Sequence, residues 1–287
     1  MRIGGPADLL LVCETTAAVV RAVRLARRYG VPWRVLGGGC NVLVADEGLR
    51  GLVIVNRAAR VEFAGTEARA EAGALLAAVA RATVERGLAG LEWAAGLPGT
   101  VGGAVVGNAG AFGGDIAGVL RRASVLMPDG AVVEQPNEWF AFRYRGSRVK
   151  EEAGRYVVLE AVFGLTEGSR ETLAARAAEI LEWRRTRHPS GATMGSTFKN
   201  PPGSHAGYLI EQAGLRGRRV GGAQIAELHG NFFLNVGGAT AADVLSLIAL
   251  ARDEVRRRFG VELELEIEPL GFAPDDEGQG QAGHDGR

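Results

Sequence analysis

Gly96-Leu97-Pro98-Gly99-Thr100-Val101-Gly102-Gly103-Ala104-Val105-Val106-Gly107-Asn108-Ala109-Gly110 is the stretch on which the reading of this chain turns. From Gly96 to Gly118 nine positions are glycine. Each costs a helix about 1 kcal/mol against alanine, so the composition predicts a loop here and not a stable helix. A backbone without β-carbons can present successive N–H groups to a phosphate and lie against a flat ring. Gly37-Gly38-Gly39-Cys40-Asn41 offers a second such loop. Each run taken singly also fits tight structural turns. Two of them in adjacent regions suit a dinucleotide gripped between two lobes. Neither matches a Gly-Lys-Ser/Thr loop. The G-x-G-x-x-G spacing at Gly278, Gly280 and Gly283 follows no strand and opens no helix, so it carries nothing.

Working outward, Leu9 to Val12 reads as a strand and Thr16 as the cap of a helix that Gly30 and Pro32 end. Trp33–Leu36, Val42–Val44 and Gly51–Asn56 read as further strands, giving a small α/β lobe over residues 1–56. A second lobe, 57–166, alternates short strands with a helix near Ala74 to Arg86, and Pro128-Asp129-Gly130 reads as a hairpin turn. Helices are expected over 169–187, 206–213 and 241–259, the last with Thr240 as its N-cap and Gly260 at its end. Val261 to Leu270 alternates apolar residues with glutamate, which predicts a half-exposed strand. Residues 273–287 read as a disordered tail.

Composition narrows the function classes. The net charge of the 287-residue chain is zero, with no basic stripe, so neither nucleic acid nor an acidic membrane is an expected partner. No uncharged run reaches the roughly 18 residues of a membrane helix. Cys13 and Cys40 lack metal-ligand spacing, no metal is expected, and both read as reduced thiols of a cytoplasmic protein. Only two of the 33 basic residues are lysines, and one, Lys199, lies in Gly195-Ser196-Thr197-Phe198-Lys199-Asn200-Pro201-Pro202. A compact ammonium beside a hydroxyl, an amide and stiffening prolines suits an anionic substrate; a lysine left on a turn by chance is the competing reading. Phe142-Arg143-Tyr144-Arg145-Gly146-Ser147-Arg148 is either a basic exposed turn or an arginine fork for a carboxylate or phosphate.

Taken in order, these motifs resemble the UDP-N-acetylenolpyruvoylglucosamine reductase (MurB) family over residues 1 to about 272. The resemblance rests on Ile3 through Asp8, Val35 through Val44, Gly90-Leu91-Glu92, Gly96 through Ala104, Asn108-Ala109-Gly110 and Tyr144-Arg145. It continues through Gly195-Ser196 to Pro201, Ala206 through Glu211, Gly221 through Gln224 and Gly260 through Glu266. The lack of an inserted tyrosine-bearing loop is similar to the family's shorter subtype. The resemblance implies an α+β protein: a two-lobed FAD-binding domain of the PCMH/vanillyl-alcohol-oxidase type (1–166), then a smaller α/β substrate-binding domain (167–272). It implies non-covalent FAD, NADPH as reductant, a UDP-sugar substrate, and a monomer or weak oligomer. The implied activity is reduction of an enolpyruvyl ether to UDP-N-acetylmuramate in peptidoglycan synthesis.

By the same resemblance Arg145, Ser196 and Glu266 are the catalytic residues. Hydride added to the terminal carbon of the enolpyruvyl group leaves an enolate-like centre beside a carboxylate, which needs a cation and a proton donor. Glu262, Glu264 and Glu266 share a strand face, so the choice of Glu266 rests on the resemblance and on its spacing to Gly271. Cofactor contacts map to Gly37 through Asn41, Gly96, Pro98, Gly99, Thr100, Gly102, Gly103, Asn108, Ala109 and Gly110. Lys199, Asn200, Arg187, His229 and Asn231 are the expected substrate contacts, although a lone histidine is more often structural. The chain departs from the family at Cys40, where serine is usual, and at Arg216, where lysine is. It also begins almost inside the first motif, and the expectation is that the natural start lies upstream of Met1. Two alternatives stand: another FAD-dependent oxidoreductase of this fold, or a non-catalytic UDP-sugar-binding relative. The first histidine is His188, past both glycine runs, which excludes a flavin bound covalently through a loop histidine.

Overall fold

The computed structural model describes residues 1–272, so the tail expected at 273–287 lies outside the described residues. The described residues form two compact units: Leu9–Gly38 with Gly51–Thr186, and Met1–Asp8 with Gly39–Arg50 and residues 187–272. The expected boundaries at 56 and 166 do not coincide with this division. The Arg170–Arg187 helix buries Leu173 and Ile180 and counts, up to Thr186, with the first unit. Val42–Val44 pairs in parallel with Glu268–Leu270, a partner more than 220 residues away, and so leaves the amino-terminal lobe for the second unit.

In the first unit the Thr16–Arg28 helix is capped by Thr15, whose hydroxyl accepts from the Ala18 N–H at 3.2 Å. Thr16 instead donates to Glu71 at 2.8 Å. The helix buries Val19, Val20, Val23 and Ala26, and packs with Leu126, Val157 and Leu159. A three-stranded sheet runs in the order Ala7–Cys13, Leu49–Asn56, Trp33–Leu36, the last two parallel. The larger core sits on a five-stranded antiparallel sheet ordered Val132–Pro136, Leu120–Leu126, Val157–Gly164, Glu67–Glu71, Val61–Ala64. The hairpin at Pro128-Asp129-Gly130 forms as expected: Asp129 Oδ1 accepts from the Ala131 N–H at 2.9 Å.

The glycine run corrects the expectation of a loop, because Val101–Gly107 is an α-helix. Tertiary packing overrides propensity here. Val101 and Val105 are fully buried, worth about 1.5–3 kcal/mol each, against about 3 kcal/mol for three helical glycines. A β-carbon at Gly102 would lie 2.8 Å from the Ala72 β-carbon, whereas one at Gly107 meets nothing within 4 Å. The two alanine substitutions therefore act with opposite signs. Gly107→Ala should stabilise the FAD-free protein by up to about 1 kcal/mol, read as a higher urea midpoint. Gly102→Ala should lower it, because overpacking costs about 1–3 kcal/mol. Equal effects at the two sites would rule out close packing as the reason for Gly102.

The second unit is built on a four-stranded antiparallel sheet ordered Ala192–Ser196, Phe232–Asn235, Ala223–Ile225, Arg219–Val220. The Ala241–Phe259 helix has the expected ends, a capping box between Thr240 and Asp243 and Gly260 at φ 65°. Asp46 completes its first turn by accepting from the N–H groups of Ala241 (2.8 Å) and Ala242 (3.1 Å). The strand expected over 261–270 is limited to Glu268–Leu270. Before it, the segment is held by single contacts: Arg252 Nε donates to the Leu263 carbonyl at 3.0 Å, and Leu265 bridges Phe198. Leu263 and Ile267 still face the core, so the alternation reports burial correctly without a full ladder. Among the described residues no helix is long and apolar enough to cross a membrane, and no group of three or more His, Cys, Asp or Glu could hold a metal ion.

Candidate active site

Each unit carries a cluster of the predicted residues. In the first unit Gly37 packs against the longer glycine run, since a β-carbon on Gly37 would collide with the Thr100 hydroxyl. Thr100 caps the Val101–Gly107 helix with extended backbone, and the Gly99 carbonyl, from a residue at φ 113°, accepts from the Leu76 N–H at 3.1 Å. Asn108 ends the helix in the left-handed region, and its side chain is engaged within the protein. Its amide donates to the Arg143 carbonyl at 3.0 Å, and its oxygen accepts from the Ala117 N–H at 3.0 Å. Asn108 thereby ties the glycine run to the arginine-rich turn. Arg145 Nη2 donates to the Gly110 carbonyl at 2.9 Å, and its guanidinium lies 5.3 Å from the Tyr144 ring centroid. The Arg145 backbone is left-handed at φ 55°. Reciprocal hydrogen bonds between Arg143 and Gly146 hold it there, at 3.1 and 3.0 Å.

Sequence reasoning missed Arg184. Its guanidinium sits 5.2 Å from the Phe112 ring centroid, and Phe112 meets Trp183 edge-on at 5.2 Å. Nε and Nη2 of Arg184 are out of water without a hydrogen-bond partner among the described residues. Burial also pulls its pKa below the ordinary arginine value. Trp183-Arg184-Arg185-Thr186-Arg187 reads in sequence as a solvated helix end, so only the packing separates Arg184 from its neighbours.

The second unit holds Ser196 and Glu266. Ser196 ends the Ala192–Ser196 strand opposite Phe232, after a register shift between Thr193 and Ser196 that re-aims the chain. The next residues are pinned. Thr197 N–H donates to the Asn231 carbonyl at 2.8 Å, while its own carbonyl accepts from the Glu266 N–H at 2.9 Å. The Glu266 carbonyl accepts from Asn41 Nδ2 at 3.0 Å. The three glutamates left open by the sequence now differ. Glu262 is exposed and paired with Arg256. Glu264 is exposed and paired with Lys199 at 3.0 Å. Glu266 is half-buried, with its backbone fixed on both sides.

The remaining expected contacts fall in two groups. Lys199 and Asn200 follow Ser196 on one loop, with the Asn200 oxygen accepting from the Ala206 N–H at 3.1 Å, and Arg187 is exposed. Asn231 and His229 are built into the fold. Asn231 is 4% exposed, and His229 Nδ1 accepts from the Asn231 N–H at 3.1 Å. Burial lowers the His229 pKa, which keeps the ring neutral and able to accept. Arg216 pairs with Glu211 at 2.6 Å. Cys40 is half-buried, and burial raises its thiol pKa, so it stays protonated at neutral pH.

These residues fit FAD on two observations within the first unit: Gly99 and Gly103 leave the backbone open, with nothing nearer than 3.7 Å to an added β-carbon, and the buried Arg184 guanidinium has two N–H donors without a partner among the described residues. One charge-assisted hydrogen bond is worth about 1.5–3 kcal/mol. Arg184→Gln should therefore weaken FAD binding by roughly 10- to 100-fold, read by flavin fluorescence titration of the FAD-free protein. An unchanged affinity would remove Arg184 from the cofactor site.

Residues 7–135 match a family model described as an FAD binding domain. Residues 187–270 match the C-terminal domain of UDP-N-acetylenolpyruvoylglucosamine reductase. The chain is 48% identical over 272 residues to the UDP-N-acetylenolpyruvoylglucosamine reductase of Rubrobacter xylanophilus, covering 94% of this chain and 91% of that one. It is 40% identical to that of Bacillus subtilis, covering 94% and 90%. The crystal structure of the Thermus caldophilus enzyme (MurB) superposes with a TM-score of 0.79 at 37% identity, covering 93% of this chain and 94% of that one. With the α+β architecture, the FAD-binding domain and the C-terminal domain all in place, the chain belongs to the UDP-N-acetylenolpyruvoylglucosamine reductase family.

Proposed function

We propose that this chain is an FAD-dependent, NADPH-using reductase that converts the enolpyruvyl ether of UDP-N-acetylglucosamine enolpyruvate to UDP-N-acetylmuramate, a step of cell-wall synthesis. The observation that carries the reading is the hydrogen-bonded frame that fixes the Ser196 loop beside Glu266, in a chain of this family. FAD, when bound and reduced by NADPH, supplies hydride. What remains is handled by side chains. Negative charge develops on the substrate's enolpyruvyl carbon and carboxylate, and the Arg145 guanidinium stabilises it with a planar fork. The Ser196 hydroxyl gives its proton to the carbanionic carbon. A serine is a weak acid in water, but the carbon base it meets is stronger. Glu266 completes the set as a carboxyl beside the donor.

Residues 1–166 take the cofactor role in two lobes, 1–56 and 57–166, and residues 167–272 the substrate role. Lys199, Asn200 and Arg187 are the proposed contacts to the UDP-sugar, with His229 and Asn231 supporting them from the fold. The protein is assigned to the cytoplasm as a monomer or weak oligomer. A direct test is optical. The purified protein should be yellow, bleach with NADPH, and recover its colour with the enolpyruvyl substrate. A colourless protein that refuses FAD would favour a non-catalytic UDP-sugar binder. A yellow protein that ignores the enolpyruvyl substrate would favour another flavin-dependent oxidoreductase.

A further inference from the structure

We infer that Asn231 is the positioning residue of the proton donor: its carboxamide stands in for a missing strand and fixes the Ser196 loop and, through it, Glu266. The inference rests on the role proposed for Ser196. After Ser196 the regular ladder with Phe232–Asn235 stops. The next buried backbone groups would have no partner without Asn231. Its Oδ1 accepts from the Phe198 N–H at 2.9 Å, and its Nδ2 donates to the Phe198 carbonyl at 2.8 Å. Its own carbonyl accepts from the Thr197 N–H at 2.8 Å. Phe198 is fully buried, so water cannot replace these bonds.

A side-chain amide offers a donor and an acceptor in one rigid plane, which is what the two backbone groups of one extended residue require. His229 aims the amide residue in turn, by accepting the Asn231 N–H. The clamp reaches Glu266 because the Thr197 carbonyl takes the Glu266 N–H at 2.9 Å. Lys199 N–H on the Glu264 carbonyl at 2.8 Å closes the same short ladder. Proton donor and carboxylate thus hang from one carboxamide. Asn231 has no need to touch substrate to matter.

The test is a double-mutant cycle on the FAD-loaded protein, with the two half-reactions followed separately by stopped-flow absorbance. Asn231→Ala should leave flavin reduction by NADPH at the wild-type rate and slow reoxidation by the enolpyruvyl substrate by about 10- to 100-fold, the scale of a reacting group displaced by about 1 Å. The solvent deuterium isotope effect on reoxidation should rise as proton delivery becomes limiting. In a Ser196→Ala background the same substitution should add less than about threefold, because a positioning residue has nothing left to position. Asn231→Ser, too short to reach both the Phe198 N–H and the Phe198 carbonyl, carries the cycle if the alanine variant does not fold.

A full additional loss on top of Ser196→Ala, or equal slowing of both half-reactions, would overturn the inference. A Ser196→Ala protein that reoxidises at the wild-type rate would instead overturn the reading beneath it.

Discussion

Ser196→Ala is expected to keep FAD, to be reduced by NADPH at the wild-type rate, and to lose about 10²- to 10⁴-fold in reoxidation by the enolpyruvyl substrate, the range for removal of a general acid. The structural cost of the substitution is small by comparison. One half-buried hydroxyl is removed, at the end of a strand whose following residues are held by Thr197, Asn231 and Glu266 backbone groups that alanine does not touch. Thermal stability should move by less than about 1 kcal/mol. Kinetic collapse without stability loss separates a chemical role from a structural one. The register shift between Thr193 and Ser196 and the left-handed Gly195 at φ 79° set the direction of this side chain. Nothing in a generic strand end would require them. Stopped-flow traces of the two half-reactions decide the matter. A reoxidation rate within tenfold of wild type would assign the proton to another donor.

What was legible in the sequence was what local chemistry encodes. The Ala241–Phe259 helix was bounded correctly because Thr240 and Gly260 act within one turn of their own positions. Trp33–Leu36 and Val42–Val44 were legible as strands. The partner of Val42–Val44 was not, since its pairing with Glu268–Leu270 is set by the folded core and leaves no local trace. Propensity counts glycines as losses and so reads Val101–Gly107 as a loop, while Gly102 lets the helix approach Ala72.

The candidate site shows the same divide. Ser196 and Arg145 were visible as chemistry-bearing types in compact motifs. Among the three alternating glutamates, only the structure separates Glu266 from Glu262 and Glu264, through their ion pairs with Arg256 and Lys199. The sequence places Asn231 near the substrate motif, and the structure adds that its side chain bonds the Phe198 backbone. Arg184 carried no signal at all, because a buried guanidinium and a solvated one are the same letter.

Arg145→Lys keeps the charge and should nevertheless lose about 10²- to 10³-fold in reoxidation by the enolpyruvyl substrate, equivalent to removing one preorganised donor from a developing anion. The argument is geometric. Arg145 Nη2 is already spent on the Gly110 carbonyl at 2.9 Å, which orients the guanidinium plane and ties it to the glycine run. That bond and the Tyr144 ring beside it fix the direction of the guanidinium plane. An ammonium that takes the Gly110 carbonyl has no second planar edge to offer. The backbone supports the same view, because Arg145 sits at φ 55° in a region that costs a non-glycine residue about 1–3 kcal/mol. The Arg143–Gly146 pairing and the Lys150 ammonium on the Arg145 carbonyl at 3.3 Å enforce that conformation. Lysine at this position carries the same backbone strain, so the comparison isolates the head group and stability should be unchanged. Reduction by NADPH is the internal control and should stay within about twofold of wild type. A lysine variant that reoxidises at the wild-type rate would show that a point charge suffices, and that the strain at residue 145 serves the turn and not the chemistry.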